Sequence, residues 1–242
     1  MALCTDAAMV LYYDIDGDHA DHDEWHTYEH MHERLSVPGF VRATRWVAVA
    51  GGPRYMVIYE VAGTEMAASP DYLARLNAPT PWTAAMMGRF RAMTRGFCEV
   101  VAGSGFGFGN AALSLRFTPA DGAAPALLDT LSREVLPAIA ARRGMAGVHL
   151  LRPAAAAPMT TEQSLRGPDA PMRWLLLASA YDRDALARTI ADQLGADAFA
   201  RMGAAPGIEA GSYALHYTAT AQEVTRTAPH PPLPPDTLPR PG

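Results

Sequence analysis

Glu24-Trp25-His26-Thr27-Tyr28-Glu29-His30-Met31-His32-Glu33-Arg34-Leu35-Ser36-Val37-Pro38-Gly39-Phe40 is the stretch from which the rest of this chain can be read. It predicts a helix from about Asp23 to Ser36. Asp21 or Asp23 caps it, Glu24 suits its first turn, and Pro38-Gly39 stops it. On that helix Trp25, Tyr28, Met31 or His32, and Leu35 make one stripe, the natural core face. His26, Glu29, His30 and Glu33 make a second, which brings imidazoles and carboxylates within reach of each other. Upstream, Met9 to Ile15 reads as a strand rich in β-branched and aromatic residues, followed by an acidic loop. Downstream, Phe40 to Val49 and Arg54 to Val61 read as two strands joined by the Gly51-Gly52-Pro53 turn.

Further along, Ser69-Pro70 opens a helical region that breaks near Pro79 and Pro81 and resumes from Trp82 to about Arg95. Phe97 to Ala102 closes the first half as a strand. The order β-α-β-β-α-β is the ferredoxin-like split unit. After Gly103 to Gly109 it recurs: strand Ala111 to Thr118, helix Pro125 to Arg143 with Gly144 as its cap, and strand Val148 to Arg152. A loop from Ala154 to Pro171, strand Met172 to Tyr181, helix Asp184 to Gly195 and strand Gly211 to Ala219 complete it. The fold class is therefore α+β, with two ferredoxin-like halves in tandem. The domains are 1–102, a Gly-rich linker 103–110, a second and degenerate half 111–220, and a Pro-rich tail 221–242. The last fifteen residues hold seven prolines and cannot form a core element.

Composition narrows the function. Of 242 residues, 49% are hydrophobic and 19% charged, ordinary for a globular chain with a sizeable core. A net charge of −5 gives no footprint for nucleic acid. No apolar run reaches the roughly 18 residues of a membrane span, and the N-terminus lacks the basic start of a signal peptide. Cys4 and Cys98 stand in no metal-binding spacing. A cytoplasmic protein acting on a small molecule is expected, without a nucleic-acid or membrane partner.

The His/Glu helix carries the chemical signal. Imidazole titrates near neutrality, and a carboxylate beside it fixes its tautomer, which suffices for acid/base chemistry without a cofactor. A solvated face rich in His and Glu is the plain alternative. His26-Thr27-Tyr28-Glu29-His30 also has the H-x-x-E-H form of inverted zinc peptidases, but no later helix offers a third ligand. Asp14 to Asp18 invites a calcium reading, yet Gly17 falls in the wrong register for an EF-hand. His149 and His216 lie on strands, where a structural histidine is the simpler reading.

The run from Glu24 to Phe40, continued by Arg42 to Trp46, resembles the first helix and following strand of EthD-like proteins, members of the dimeric α/β-barrel superfamily. The resemblance implies two ferredoxin-like sheets closing a barrel, either within this tandem chain or in a homodimer. It maps the family's pocket histidine to His30, with Glu29 beside it. His26, which could assist His30, and Arg42, which could bind a carboxylate or stabilise an enolate, are the further catalytic candidates. Tyr13, Trp46 and Tyr59 are the candidate substrate contacts. The site is expected inside the barrel, and the second half, without a Glu-His pair, is expected to be structural. The expected activity is that of a cofactor-independent lyase or isomerase acting on a small carbonyl or aromatic compound, with no metal. A metal- or haem-dependent enzyme or monooxygenase, and a non-catalytic binding protein, are the alternatives.

Overall fold

The computed structural model describes residues 3–155 and 159–227. β1 (Ala7–Ile15) leads into α1 (His19–Trp25). The helix starts earlier than the sequence suggests, because Asp18 is the last extended residue and its side chain accepts from the Ala20 amide at 2.9 Å. It continues without a break through a π-helical turn, His26–His30, into α2 (Met31–Leu35). Gly39, at φ 92°, turns the chain into β2 (Phe40–Ala50). β3 (Tyr55–Val61), a 3₁₀ turn Thr64–Ala68, α3 (Pro70–Asn77) and α4 (Pro81–Met87) follow.

Here the sequence reading of a helix to Arg95 is overturned. β4 begins at Phe90 and runs to Gly105. Ala92 takes a positive φ of 51°, and the register against β1 shifts in this region. The irregularity puts Phe90 and Met93 into one cluster at a three-residue spacing that imitates a helix. Gly103 to Gly105, read as the start of a linker, are the paired end of this strand.

The second half holds β5 (Ala111–Phe117), α5 (Ala124–Thr130), a second π-helical turn Leu131–Val135, α6 (Leu136–Ala140) and β6 (Met145–Pro153). Its first helix reproduces that of the first half 105 positions later, from His19 to Ala124 and on to Gly39 and Gly144, both with φ 92°. The segment 154–171, read as a plain loop, contains α7 (Thr161–Arg166) and a short strand β7 (Ala170–Pro171). β8 (Trp174–Ala180), α8 (Arg183–Gln193), α9 (Ala196–Met202), β9 (Glu209–Thr220) and α10 (Ala221–Arg226) complete the described chain. The tail is thus helical over its first residues, and 228–242 lies outside the described residues.

Strands pair in the order β1-β3-β2-β9-β5-β8-β6-β4, and β4 returns to β1, which closes an eight-stranded antiparallel barrel in one chain. β7 adds to β4 in parallel outside this ring. The order β4-β1-β3-β2 in the first half recurs as β9-β5-β8-β6 in the second, and the β2–β9 and β4–β6 ladders join them.

Side chains alternate across every strand, so one set points in and the other out. All eight strands feed a single inner cluster, among them Val10, Tyr12, Trp46, Met56, Ile58, Cys98, Leu151, Leu177 and Tyr213. The outward sets pack under helices, with Tyr13, Tyr59 and Phe90 beneath α1 and α2, and Leu113, Leu115 and Leu176 beneath α5 and α6. The barrel interior is therefore a packed core and not the expected pocket. No helix among the described residues is long and apolar enough to cross a membrane, and both cysteines are free. Trp46 is fully buried in that interior. Trp46→Ala is expected to lower the free energy of unfolding by about 3–5 kcal/mol, read from urea melts.

Candidate functional site

The cavity beside His30 lies outside the barrel, between the first helix and the sheet of the first half. It has a volume of about 30 Å³, room for a water or two. Met9, Leu11, Tyr13 and Tyr59 rise from the sheet, and Trp25, His26, His30 and Arg34 come down from the helix. Tyr72, Met87, Phe90, Met93, Arg95 and two residues of α7, Glu162 and Arg166, close the rest.

The π turn explains how one helix presents so many polar groups. In a regular α-helix each step of four residues overshoots a full turn by about 40°, so a ladder of i, i+4 residues drifts around the axis. A turn with i→i+5 bonds is wider and takes back part of that drift. His22, His26, His30 and Arg34, four apart, are all buried. At the same places in the second half stand Leu127, Leu131, Val135 and Ile139, all packed into an apolar cluster. The same backbone device thus supports a polar cavity in one half and a solid core in the other.

Two of the histidines have assignable tautomers. Arg45 Nη1 lies 3.2 Å from His26 Nδ1, and a guanidinium only donates. His26 therefore accepts at Nδ1 and donates from Nε2 to the Tyr59 oxygen at 3.3 Å, which leaves the Tyr59 proton to the cavity. His22 Nδ1 donates to Asp23 at 3.1 Å and Nε2 accepts from Tyr13 at 3.1 Å. His30 stacks against Trp25 with ring centres 4.3 Å apart. Its Nδ1 is buried with no hydrogen-bond partner among the described residues, and the nearest carboxylate is Glu33 at 3.9 Å. Burial, aided by Arg45, holds His26 well below the usual imidazole range. Burial, aided by Arg34, does the same for His30. In both the shift favours the neutral imidazole. Burial also raises the Tyr59 and Tyr13 phenols well above their ordinary range, so they are donors.

No family model matches the sequence, and no curated protein matches it. Solved structures do. An anthrone oxidase-like protein superposes with TM-score 0.63 at 13% identity, covering 93% of this chain and 97% of that one. A presumed monooxygenase from Lactobacillus acidophilus gives 0.56 at 11%, covering 89% and 97%. Another from Fusobacterium nucleatum gives 0.55 at 7%, covering 90% and 95%. The fold is that of the dimeric α/β-barrel proteins. At such identities the likeness is one of fold alone.

Against the sequence expectations, the cavity gathers His26, His30, Tyr13 and Tyr59 and leaves out three residues. Trp46 points into the barrel. Arg42 lies over Phe108 and pairs with the buried Glu60 at 2.6 Å, on the barrel side of the sheet. Strand alternation gives the place expected for Arg42 to Arg45, which binds His26. Glu29 turns away from the imidazole and accepts from Thr80 at 2.6 Å and Thr83 at 3.2 Å, at the start of α4. Thr83 in turn accepts from the Trp25 indole at 3.1 Å, so Glu29 anchors the wall on which His30 rests. The plain reading of the helix as a solvated face fails, since His26 and His30 are buried.

Sequence reasoning missed Arg34, Glu162 and Arg166. Thr160 and Gln163 form a capping box at the head of α7, the signal from which that helix could have been found. His149 faces the barrel interior, where Nε2 accepts from the Leu3 amide at 3.3 Å, and His216 accepts from Arg45 at 3.1 Å.

A metal held by His26 and His30 does not fit this geometry. Both ring nitrogens of His26 are engaged by Arg45 and Tyr59, and the described residues contain no cluster of three metal-ligating side chains.

The depressed histidines give a pH dependence of known sign. Below the unfolded value near 6.5 the unfolded chain binds protons that the folded His26 and His30 refuse, so stability falls as pH falls. Each histidine contributes up to about 1.4 kcal/mol per pH unit below that point. Denaturant melts at pH 7.5 and 5.5 are expected to show a steep loss, shallower in the His30→Gln variant. An unchanged slope in that variant would mean His30 is protonated in the fold.

Proposed function

We propose that the chain is an enzyme that moves a proton on a small carbonyl or aromatic compound at this cavity, opened by a shift of α7, a lyase or isomerase that uses its own side chains, with His30 as general base. The observation that supports the reading most is His30, buried at the cavity wall with an unpartnered Nδ1 and with Arg34 on the same helix face. A neutral imidazole can take a proton from carbon or oxygen. The anion left behind is stabilised by the guanidinium and by the imidazolium that has just formed. The Arg45–His26–Tyr59 chain supplies a phenolic proton to the far side of the same cavity. Dehydration, decarboxylation, cyclisation and isomerisation all pass through such an anion. We read the repeated strand order as two ferredoxin-like halves in tandem, 1–102 and 111–220, with the chemistry in the first. The EthD-like assignment rests on the sequence of the first helix and β2.

The anthrone oxidase-like and monooxygenase neighbours favour a second fate for the anion, attack by O₂ as co-substrate. Enolisable ketones and hydroxyaromatic compounds, assayed with and without oxygen, separate the two. Oxygen uptake with each turnover selects the second, and turnover in anaerobic buffer the first. In either case His30→Ala is expected to lower kcat by roughly 10²–10⁴-fold. Activity kept within about tenfold would remove His30 from the mechanism.

A further inference from the structure

One end of the cavity is lined by charge. Arg34 Nη2 donates to both oxygens of Glu162, at 2.5 and 2.6 Å. Arg95 and Arg166 share Asp169, at 3.0 and 2.8 Å, and Gln163 donates to the same carboxylate at 2.8 Å. All five ionised side chains are at most 8% exposed. Three guanidinium groups therefore face two carboxylates in a nearly buried cluster, an excess of one positive charge; Glu33, the next carboxylate along the helix, is paired with Arg75 at 3.7 Å. A buried cation without a counter-ion is costly, and a donor left without an acceptor adds to that cost. That donor is present: Arg34 Nη1 is buried and has no hydrogen-bond partner among the described residues.

We propose that this cavity takes a small monoanionic carboxylic acid, its carboxylate received by Nη1 of Arg34, so that the substrate class of the proposed enzyme is an aromatic or carbonyl acid. The inference rests on the reading of this cavity as the active site. The charge count calls for a single negative charge. The cavity's volume of about 30 Å³ admits a carboxylate head and little more. The body of the ligand then requires α7 to shift. That helix is tied to the first half by Glu162 itself and by the Thr161 amide and hydroxyl on Asn77 Oδ1, at 3.0 and 3.2 Å. The incoming carboxylate and Glu162 thus meet at one guanidinium and repel each other. The second half, which carries no polar ladder of its own, contributes the wall of the first half's site through residues 159–171.

Calorimetric titration with benzoate and acetate, against benzamide and acetamide at ionic strength fixed with chloride, tests this without turnover. The acids are expected to bind and the amides not. Arg34→Lys, which loses the second guanidinium nitrogen, is expected to weaken benzoate at least tenfold. Glu162→Gln, which removes the competing charge, is expected to strengthen it several-fold. Arg133→Gln, on the exposed face of the second half, controls for general charge effects and is expected to change nothing. Acid and amide binding alike, no binding of either acid at tens of millimolar, or weaker binding in Glu162→Gln each overturn the proposal. Should Arg34→Lys fail to fold, Glu162→Gln and the acid–amide comparison decide it. An active His30→Ala enzyme would remove the base and leave benzoate binding as it is. Loss of discrimination between acid and amide would remove the anion site and leave the base.

Discussion

Two antiparallel ladders, β2 with β9 and β4 with β6, hold this molecule in its form. Each half on its own would leave the edges of a four-stranded sheet open to solvent. Joined, the halves have no such edge around the ring. Closure also settles where a cavity can lie. A barrel of eight strands leaves an interior that side chains just fill, and here Trp46, Tyr12, Tyr213 and their aliphatic neighbours fill it. What remains is the outer face of each sheet, covered by helices, and a cavity can persist only where the covering helix does not fill the space beneath it.

The first helix of the first half meets that condition. The two first helices share length, π turn and terminal glycine, and differ in the ladder that faces the sheet. Leu127, Leu131, Val135 and Ile139 interdigitate with the outward residues of β5 and β8. His22, His26, His30 and Arg34 need partners and find them in Tyr13, Tyr59, Arg45 and Glu162. Polar groups at fixed distances pack less completely than aliphatic ones, which leaves room next to His30. The last of these partners comes from the other half of the chain. Residues 159–171 reach the first half's cavity and bring Glu162 and Arg166, so the cavity depends on both halves although its histidines belong to one.

Much of this was legible beforehand. Pro38-Gly39 after an apolar and polar stripe fixed the end of the helix, because glycine alone tolerates the positive φ there. The strand pattern of β1 to β3 and of β5, β6 and β8 followed from β-branched and aromatic runs. The Trp82–Arg95 helix misled because an irregular strand at Ala92 imitates helical spacing. Arg42 and Trp46 were named for the site in place of Arg45. Which face of β2 looks outward depends on its partners in the sheet, and a one-residue change of register exchanges the two faces. Glu29 was paired with His30 because they are adjacent in sequence, yet adjacent residues on a helix point about 100° apart.

The sequence by itself determined the helix of histidines, the order of the eight barrel strands and the recurrence of that order, since these follow from local periodicity and turn chemistry. Only the tertiary structure decided that the barrel interior is solid, that burial holds His30 below the usual imidazole range and that Arg34 is its neighbour in a cavity closed by α7. Burial, charge balance and the choice of strand face arise from contacts between residues such as Arg34 and Glu162, 128 positions apart, and no local pattern encodes them.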